Sequence, residues 1–414
     1  MNRREFLTYA GATSLAGLAG CVTPVPAKAR VVVVGGGFGG ATAAKYLRLW
    51  APSLDVVLIE RGRQFVSCPI SNLVLGGFTG MDTISHGYGG LERRGVQVVR
   101  DEVVAVDAAK RSVRLAGGSD IGYERLIVSP GIDFVFNEIH GYEAAMSAGR
   151  VLHAWKAGEQ TVALRRQLEQ LRDGGVVVLS IPAAPYRCPP GPYERASMIA
   201  AYLKQAKPRS KLLVLDANPD VTSKGPLFKR AWDDLYKGVL EYRGNAKAVG
   251  VDGNTVKLEV EDVKGDVLNV VPPHRAGNIA VQAGLITHNN RWCDVDWRTM
   301  ESKKVAGIHV LGDATLSAPG MPKSGSMANN HAKIAAAAII EQLAGRAPAD
   351  MKILNTCYSF VSQKEAIRVS SVHEWDGKTL SPVKGAGGVS AARSEAEGTF
   401  AWSWARTIWA DSLS

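Results

Sequence analysis

Three of the five cysteines occur in sequence settings that suit sulfur chemistry. Cys68 lies in Phe-Val-Ser-Cys-Pro-Ile, Cys188 in Tyr-Arg-Cys-Pro-Pro-Gly, and Cys357 in Asn-Thr-Cys-Tyr-Ser. The sequence contains no C-x-x-C and no C-x-x-C-H motif, so it predicts neither a metal site nor covalently bound haem. The pattern instead indicates redox chemistry of thiols or of sulfide.

Cys188 and Cys357 are candidates for a redox-active disulfide. Such a disulfide would accept attack by a sulfide nucleophile and release a thiolate that passes two electrons onward. Glu194 follows Cys188 at the expected start of a helix, where it could accept the proton. Two alternatives stay open here: the cysteines are apolar buried thiols or a structural disulfide, and Glu194 is a solvated first-turn carboxylate.

A glycine-rich loop near the start of the chain predicts a dinucleotide site. The β-branched run Arg30–Val34 precedes Gly35, Gly37 and Gly40 in a G-x-G-x-x-G pattern, and an Ala-rich helix follows. A second strand pattern leads to Glu60, twenty residues after Gly40. Glycines let the backbone approach a pyrophosphate, the helix N-terminus stabilises its charge, and the carboxylate accepts a hydrogen bond from a ribose hydroxyl.

A second segment indicates that the dinucleotide is FAD. Residues 305–314 form a strand pattern with Gly312 and Asp313 at its end, and this resembles the second flavin motif of flavoproteins with two dinucleotide domains. The aspartate of that motif holds the ribityl and phosphate part of FAD; the alternative is a structural aspartate. Lys323 precedes a helix, where it would stabilise negative charge on a reduced flavin. Cys68 lies in a loop expected to run over the flavin, within reach of the ring edge.

Residues 151–268 repeat the fold pattern with a defective loop. A strand at 176–179 and a second at 211–215, ending at Asp216, predict another Rossmann-like sheet. The loop between them is rich in proline rather than glycine, and proline removes backbone donors and fixes φ. The domain is therefore predicted to resemble a nicotinamide-binding fold that has lost its ligand, and electrons are not expected from NADH.

The expected architecture is α/β, with two Rossmann-like dinucleotide-binding domains of the glutathione-reductase type and a C-terminal α+β domain. The expected boundaries are a leader over 1–29, an FAD-binding domain over 30–150 and 269–348, the degenerate central domain over 151–268, and the C-terminal domain over 349–414. Near the end, Trp402, Trp409 and Leu413 recur at helical spacing. A docked C-terminal helix is favoured over an amphipathic helix on a membrane.

Composition limits the class of protein. The chain has 414 residues, of which 46% are hydrophobic and 21% charged, as in globular proteins of two or three domains. Its net charge of +10 points to an acidic partner or surface, or simply to a solvated basic face. The sequence has no run of five or more Lys and Arg, so a nucleic-acid partner is not expected. Cys293 is predicted to be a buried structural thiol.

The first residues predict export. Arg3 and Arg4 lie in a twin-arginine pattern, followed by an apolar stretch too short and too rich in Gly and Ala for a membrane span. Two leader ends compete: a lipobox at 18–21, with lipidated Cys21 as an anchor, and an A-x-A cleavage after Ala29. Both predict a periplasmic protein with no transmembrane segment in the mature chain. Disulfides persist in that compartment.

From Arg30 onward the chain resembles the flavoprotein subunit of flavocytochrome c sulfide dehydrogenase. The most specific stretches are residues 33–46, 67–77, 153–161, 184–196, 322–325 and 355–359. The resemblance implies that FAD is attached through a thioether at Cys68. It also implies that Cys188 and Cys357 form the redox-active disulfide, with Glu194 as the catalytic carboxylate. One departure lies at 326–331, Ser-Met-Ala-Asn-Asn-His, where the family commonly has Tyr-Ser-Ala-Asn. It would leave the chemistry intact and change either the surroundings of the flavin ring or the surface that meets the partner.

The resemblance implies periplasmic oxidation of sulfide to sulfur or polysulfide, with electrons passing from FAD to a separate c-type cytochrome subunit. A sulfide:quinone oxidoreductase is the nearest alternative, but it would need a quinone channel and membrane-anchoring C-terminal helices. A flavoprotein that reactivates the thiol of a sulfur carrier is another. The proline-rich loop disfavours a type II NADH dehydrogenase. Retention of both cysteines and of Glu194 disfavours a non-catalytic subunit.

Overall fold

The computed structural model describes residues 28–414, so the predicted twin-arginine motif and Cys21 lie outside the described residues. The described chain contains two five-stranded parallel sheets, smaller antiparallel sheets attached to each, and a C-terminal sheet with a long helix. The predicted α/β architecture with two Rossmann-like units is confirmed.

The first parallel sheet contains the glycine-loop strand at its centre. Its strands, in spatial order, are Ile308–Val310, Arg125–Val128, Arg30–Val34, Asp55–Ile59 and Gln97–Val99. The helix Phe38–Trp50 follows the glycine loop and packs against the helix Gly325–Leu343. Val31, Val32 and Val33 are fully buried, which is the pattern of a parallel strand covered on both faces.

Shorter elements lie between the strands of the first sheet in sequence, and two of their helices, Ser71–Gly76 and Tyr142–Ser147, pack on the second sheet and its helices. A three-stranded antiparallel sheet and two antiparallel pairs comprise Val103–Asp107, Ser112–Leu115 and Asp120–Gly122; Phe65–Val66 with Ser85–His86; and Ile132–Phe134 with His274–Ala276. The short helices are Ser71–Gly76, Gly89–Arg93, Tyr142–Ser147 and Asn278–Gln282, and the 3-10 turns are Asp82–Ile84, Phe136–Glu138 and Gly312–Ala314.

The second parallel sheet repeats the order of four strands of the first sheet, but its edge strand precedes the other four in sequence, whereas that of the first sheet follows them. Its strands, in spatial order, are Val151–Leu152, Val267–Val270, Val176–Ile181, Lys211–Asp216 and Leu240–Arg243. Its helices are Glu159–Gln170, Gly191–Ala206 and Gly225–Leu235, and an attached antiparallel sheet comprises Ala248–Asp252, Thr255–Leu258 and Asp262–Lys264. Because the strand Val267–Val270 belongs to this sheet, the unit extends past the predicted boundary at 268.

The C-terminal region is an antiparallel sheet of Ile353–Phe360, Ala366–Trp375 and Leu380–Val389, followed by the helix Glu395–Leu413. That helix packs on Phe38–Trp50 of the first unit. The indole N–H of Trp409 donates to Ser67 Oγ at 2.8 Å, and the Trp409 side chain is buried. The tail is therefore docked, as favoured from the sequence. Within residues 28–414, no helix is long and apolar enough to cross a membrane.

Candidate active site

The three glycines of the first loop have three different environments. Gly35 adopts φ +96°, and a Cβ there would lie 2.4 Å from the Ser129 carbonyl oxygen. A Cβ on Gly40 would lie 1.8 Å from the Gly35 carbonyl oxygen, so the helix can approach the strand only without a side chain. Gly37 differs, because a Cβ there would meet no atom of the described chain within 4 Å. That open space is where a pyrophosphate would approach the backbone.

Glu60 is held against the same loop. Its Oε2 accepts a hydrogen bond from the Gly36 N–H at 2.7 Å, and its Oε1 accepts one from the Gly62 N–H at 2.7 Å. Each carboxylate oxygen keeps a further lone pair. Glu60 therefore lies where the sequence predicts a ribose-binding acid.

Asp313 follows the strand Ile308–Val310 in a 3-10 turn. Its Oδ1 is buried and has no hydrogen-bond partner among the described residues. Burial raises the pKa of this carboxyl, against the opposing charges of Arg187 and Lys323. An orphaned buried acceptor beside a glycine turn fits the hydroxyls of a bound ribityl chain.

Lys323 is anchored close by. Its ammonium donates to the Asp313 carbonyl at 3.1 Å and to the Thr315 carbonyl, and it lies 3.7 Å from the ring centroid of Trp292. Burial lowers its pKa to about 8, against the opposing effects of Asp313 and Cys293. Cys293 is fully buried, as predicted for a structural thiol.

His331 ends the stretch that departs from the family pattern. Its Nδ1 accepts a hydrogen bond from the Gly312 N–H at 3.2 Å, and burial lowers its pKa to about 3. The imidazole is thus a neutral acceptor that orients the peptide next to Asp313. The stretch at 326–331 that departs from the family pattern therefore contacts the second flavin motif through His331. The sequence pattern alone did not predict this contact.

The Cys68 loop contacts the segment that begins at His153. The Cys68 thiol donates to the Trp155 carbonyl at 3.8 Å, and the Arg187 guanidinium donates to the same oxygen. Two buried donors, Trp155 Nε1 and Arg187 Nε, lack partners within the described part of the chain. Together with Asp313 Oδ1, these atoms are unpaired groups that a bound flavin could satisfy.

Arg195 holds this region together, and the sequence reading missed it. Its side chain is 2% exposed and donates to the carbonyls of His153 at 2.8 Å and Ala154 at 2.7 Å. It also donates to Asn72 Oδ1 at 3.1 Å, in the helix after Cys68. Burial lowers its pKa to about 9, against an opposing effect of Cys68. Its neighbour in sequence, Glu194, was the only signal that could have drawn attention to it.

The structure brings Cys188 and Cys357 together as free thiols. Cys188 lies in the proline-rich loop at φ +58°, and its N–H donates to the Lys323 carbonyl at 2.8 Å. Cys357 lies within the strand Ile353–Phe360, and its thiol donates to Asn355 Oδ1 at 3.4 Å. Burial raises the pKa of both thiols, and the proximity of Cys357 raises that of Cys188 further. A positive φ at a cysteine is a rare backbone state that indicates a constrained loop.

Glu194 is in the same buried cluster. It lies in the first turn of Gly191–Ala206 and is 8% exposed, so the alternative of a solvated carboxylate is wrong. Its Oε1 accepts from the Phe360 N–H at 2.8 Å, and its Oε2 accepts from Asn72 Nδ2 at 2.7 Å. Burial raises its pKa, while those two hydrogen bonds oppose the shift. A buried carboxyl with a raised pKa beside two thiols is placed to exchange a proton with them.

Lys224 completes the cluster and was also missed from the sequence. It immediately precedes the helix Gly225–Leu235, adopts φ +57° and is 7% exposed. Its ammonium donates to Ser359 Oγ at 2.9 Å and to the Cys357 carbonyl at 3.3 Å. Burial lowers its pKa to about 8, against opposing effects of Cys357 and Glu194. No local pattern distinguishes this lysine from a solvated one.

The second unit has no free nucleotide-binding acid at the matching position. Asp216 ends the strand next to Val176–Ile181 and is fully buried. Its Oδ2 accepts from the hydroxyls of Tyr193 at 2.8 Å and Tyr242 at 2.9 Å, and its Oδ1 accepts from the side chain of Asn218 at 2.7 Å. Both oxygens of this carboxylate therefore accept hydrogen bonds from the protein's own side chains. The loop beside Asp216 carries Cys188.

In the described chain, no group of three or more His, Cys, Asp and Glu side chains is arranged to hold a metal ion. The sites that the structure does assemble are the glycine loop with Glu60, the turn at Asp313, and the cluster of Cys188, Cys357 and Glu194. Arg195 and Asn72 connect the Cys68 segment to that cluster.

Three family models match the chain. The model described as pyridine nucleotide-disulphide oxidoreductase matches residues 29–178. The central model of the sulfide dehydrogenase (flavocytochrome c) flavoprotein chain matches residues 161–272. The model described as flavocytochrome c sulphide dehydrogenase, flavin-binding, matches residues 349–413. The matches cover most of the chain and leave out residues 273–348, which contain the strand Ile308–Val310 and the helix Gly325–Leu343.

Individual relatives agree with these matches. The sulfide dehydrogenase (flavocytochrome c) flavoprotein chain of Chlorobaculum thiosulfatiphilum is 64% identical over 45 residues, which are 11% of this chain and 94% of the relative. The mitochondrial sulfide:quinone oxidoreductase of Mus musculus is 24% identical over 302 residues, or 69% of this chain. The chain spans 65% of the length of the mouse and Dictyostelium discoideum sulfide:quinone oxidoreductases.

A solved structure shares the fold. The sulfide:quinone oxidoreductase of Aquifex aeolicus superimposes with a TM-score of 0.77 at 19% identity, covering 93% of this chain and 91% of that chain. The whole described arrangement of two Rossmann-like units and a C-terminal region therefore recurs in a known protein.

Proposed function

The chain belongs to the family of flavocytochrome c sulfide dehydrogenase flavoprotein chains, and on that premise we propose that it oxidises sulfide with FAD. The observation that carries this proposal is the buried cluster of Cys188, Cys357 and Glu194 next to the Cys68 segment. A thiol pair with a buried proton acceptor is the equipment that disulfide exchange with HS⁻ requires.

The first unit would hold the FAD. The open space at Gly37 would admit the pyrophosphate, Glu60 would accept from the ribose, and the orphaned Asp313 Oδ1 would accept from the ribityl chain. We propose that Cys68 carries the flavin as a thioether, because its half-buried thiol lies in the segment beside Trp155. When bound, FAD supplies a two-electron acceptor.

The cysteine pair would act as the site of sulfur attack. With Cys188 and Cys357 joined as a disulfide, HS⁻ attacks one sulfur, the S–S bond breaks, and a persulfide forms on one cysteine while the other leaves as a thiolate. Glu194 takes the proton of the incoming sulfide. Release of the sulfur and return of the cysteines to the disulfide deliver two electrons, so that HS⁻ is converted to sulfur, a proton and two electrons.

We propose that the electrons pass to a c-type cytochrome subunit in the periplasm. The sequence contains no haem-attachment motif of its own, so a separate haem carrier would receive them. Arg3 and Arg4 support export by the twin-arginine route, with Cys21 as a lipid anchor if the lipobox is used. The fully hydrogen-bonded Asp216 argues against NADH as the electron source.

Quinone reduction is the second candidate. The fold similarity to the Aquifex aeolicus sulfide:quinone oxidoreductase over 93% of the chain favours it. The docked C-terminal helix speaks against it, since Trp409 is buried on the first unit rather than presented to a membrane.

The test is an anaerobic titration of the purified flavoprotein with sulfide, followed by flavin absorbance. We expect full bleaching in the wild type, and loss of at least about 100-fold in rate for Cys188→Ala and Cys357→Ala. Cys293→Ala is the matched control, because this buried thiol faces Lys323 and is not among the groups that act on Cys188, Cys357 or Glu194. Reoxidation by cytochrome c but not by a soluble quinone supports the first candidate, and the reverse supports the second. Full-rate bleaching in both cluster variants would overturn the sulfide mechanism.

Acid precipitation tests the thioether separately. Flavin should remain on the peptide containing Cys68 in the precipitated wild-type protein, as read by fluorescence and mass spectrometry. Cys68→Ala should release it to the supernatant. Release of all flavin from the wild type would contradict the covalent attachment while leaving the sulfide chemistry in place.

A further inference from the structure

Lys224 is a buried ammonium directed at the strand that carries Cys357. Lys224 connects the second unit to the C-terminal sheet. It precedes a helix of the second unit and donates to Ser359 Oγ and to the Cys357 carbonyl. A lysine with 7% exposure costs free energy to bury unless it has a charge to balance. Its two hydrogen-bond partners are neutral.

The charged groups around Lys224 indicate which negative charge its ammonium balances. The groups that face the ammonium are Cys357, Glu194, Cys188 and Glu397. The groups that face the Cys357 thiol are Lys224, Ser324, Asn355 and Glu194. Cys188 faces Arg187 and Lys224 as well as Cys357 and Glu194. Glu194 has both Lys224 and Arg195 near it, and Cys188 has Arg187 as well, whereas the cation that faces the Cys357 thiol is Lys224.

We propose that Lys224 is a positioning residue whose ammonium balances the negative charge that the Cys357 sulfur carries once the cysteine pair is opened. The inference rests on the proposed sulfide chemistry and adds a residue to it. Attack of HS⁻ on Cys188 breaks the S–S bond, forms a Cys188 persulfide and leaves Cys357 as a thiolate. Attack on Cys357 forms the persulfide there and displaces Cys188 as a thiolate, and the terminal sulfur on Cys357 becomes a second anion when its proton passes to Glu194. Both directions therefore end with negative charge on the sulfur at Cys357, beside Lys224, and in the second direction Lys224 and Arg187 also face the Cys188 thiolate.

The experiment measures the ionisation of Cys357 in the reduced holoprotein. Protein reduced with dithiothreitol is alkylated with iodoacetamide between pH 6 and 10, and labelling of the peptides containing Cys357 and Cys188 is quantified by mass spectrometry. In Lys224→Gln, the midpoint for Cys357 should rise by about one pH unit or more, because the thiolate loses its counter-charge. The shift for Cys188 should be smaller, since Arg187 also faces it.

Two further variants keep the result interpretable. Lys224→Arg should bring the Cys357 midpoint below that of the wild type, because a guanidinium stays charged above about pH 8, and a purely structural role of the amine would not require this shift. Lys229→Gln is the matched control, because this exposed lysine of the following helix pairs only with Asp220 among the described residues and should leave both midpoints unchanged. If Lys224→Gln does not fold, Lys224→Arg remains decisive at pH 9, where the lysine has lost its proton and a guanidinium has not. There Cys357 should be alkylated several times faster than in the wild type.

An unchanged Cys357 midpoint in folded Lys224→Gln, or equal rates for Lys224→Arg and wild type at pH 9, would overturn the proposal. The assay uses neither sulfide nor an electron acceptor. Failure of the lysine proposal therefore appears as an unaltered alkylation profile, whereas failure of the proposed function appears as a wild-type flavin that sulfide does not bleach.

Discussion

The two parallel sheets share the order of four strands, but their central strands lead into different loops. In the first unit, the strand Arg30–Val34 leads into glycines that leave open space at Gly37, and Glu60 lies beside that space. In the second unit, the strand Val176–Ile181 leads into prolines and Cys188, and Asp216 is fully hydrogen-bonded by its neighbours. One loop is open to a ligand, whereas the other presents a side chain of its own.

The difference shows how a dinucleotide fold can change its use without changing its sheet. Asp216 lies where a nucleotide-binding acid is expected, but its carboxylate accepts hydrogen bonds from the hydroxyls of Tyr193 and Tyr242. A position that would contact a ligand is therefore part of a hydrogen-bond network in the core. The helix Gly191–Ala206 then no longer needs to present backbone N–H groups to a phosphate, and its first turn carries Glu194 instead. The loop that would have bound NADH becomes half of the candidate sulfur site.

The largest expected effect comes from closing the first loop. In Gly40→Ala, the new Cβ would lie 1.8 Å from the Gly35 carbonyl, so helix and strand must separate. We expect flavin content to fall below about a tenth of wild type, and the free energy of unfolding to fall by about 3 kcal/mol. The flavin-to-protein absorbance ratio and urea denaturation measure these quantities.

The matched change in the second loop is Gly191→Ala. Its Cβ would lie 2.9 Å from Cys188 Sγ and 3.1 Å from a ring carbon of Trp155, both of them side-chain atoms that can shift. Flavin content should stay near wild type while sulfide-dependent bleaching slows, because the methyl group presses on the thiol. If Gly191→Ala lost its flavin as fully as Gly40→Ala, the two loops would not have the separate roles described above.

The sequence predicts the first loop better than it predicts the sulfur cluster, for a physical reason. The strand, glycines and acid of the first unit act over about thirty residues, so their pattern is local and readable. Lys224 and Ser359 are 135 positions apart, and Asn72 and Glu194 are 122 apart. Residues of such common types gain their role only when the chain folds, and no spacing rule connects them.

Burial is the other quantity that the sequence left undecided. Glu194 fits a solvated first-turn carboxylate as well as a buried one, because its neighbours in the helix include both apolar and charged residues. The strand Ile353–Phe360 covers it from more than 150 residues away, through a hydrogen bond whose partners are 166 positions apart. The prolines near Cys188, by contrast, form a local pattern, because proline cannot donate to a phosphate, and the loss of nicotinamide binding that they predict stays a prediction.

An intermediate effect is expected from replacing each of the two acids at the strand ends, Asp216 and Glu60, by its amide. Asp216→Asn should lower the free energy of unfolding by about 2 kcal/mol, because an amide cannot accept from both tyrosines and Asn218 at once. Its flavin content should not change. Glu60→Gln should do the reverse and weaken flavin binding about tenfold with little effect on folding. Both are best measured in a Cys68→Ala background, where bound and free flavin can exchange. Loss of flavin in Asp216→Asn would mean that the second acid still serves a nucleotide.

The smallest expected effect is a change in how stability depends on pH, and it comes from Glu194, the buried carboxyl of the second unit that lies beside the sulfurs. Burial raises the pKa of Glu194 above its ordinary value of 4.5, so the folded protein holds a proton that the unfolded chain releases. The stability that this proton contributes is fully present below about pH 4.5 and is lost as pH rises through the folded pKa, at up to about 1.4 kcal/mol per pH unit. Glu194→Gln stays neutral throughout and should not show this loss. Urea denaturation of both proteins from pH 4 to 8 measures the difference.

Ionisation of Glu194 should also affect the rate of the sulfide reaction, which should rise with pH where stability falls. As pH rises and Glu194 ionises, the carboxylate becomes able to accept a proton, so the rate of sulfide-dependent flavin bleaching should increase over the range in which wild-type stability declines. In Glu194→Gln that increase should be absent, while Asp216→Asn should retain it, because Asp216 contacts tyrosines and Asn218 rather than the sulfurs. Parallel pH–rate curves for wild type and Glu194→Gln would show that this buried carboxyl, like Asp216, serves only the fold. The second unit would then contribute to the chemistry through Cys188 and Lys224 alone.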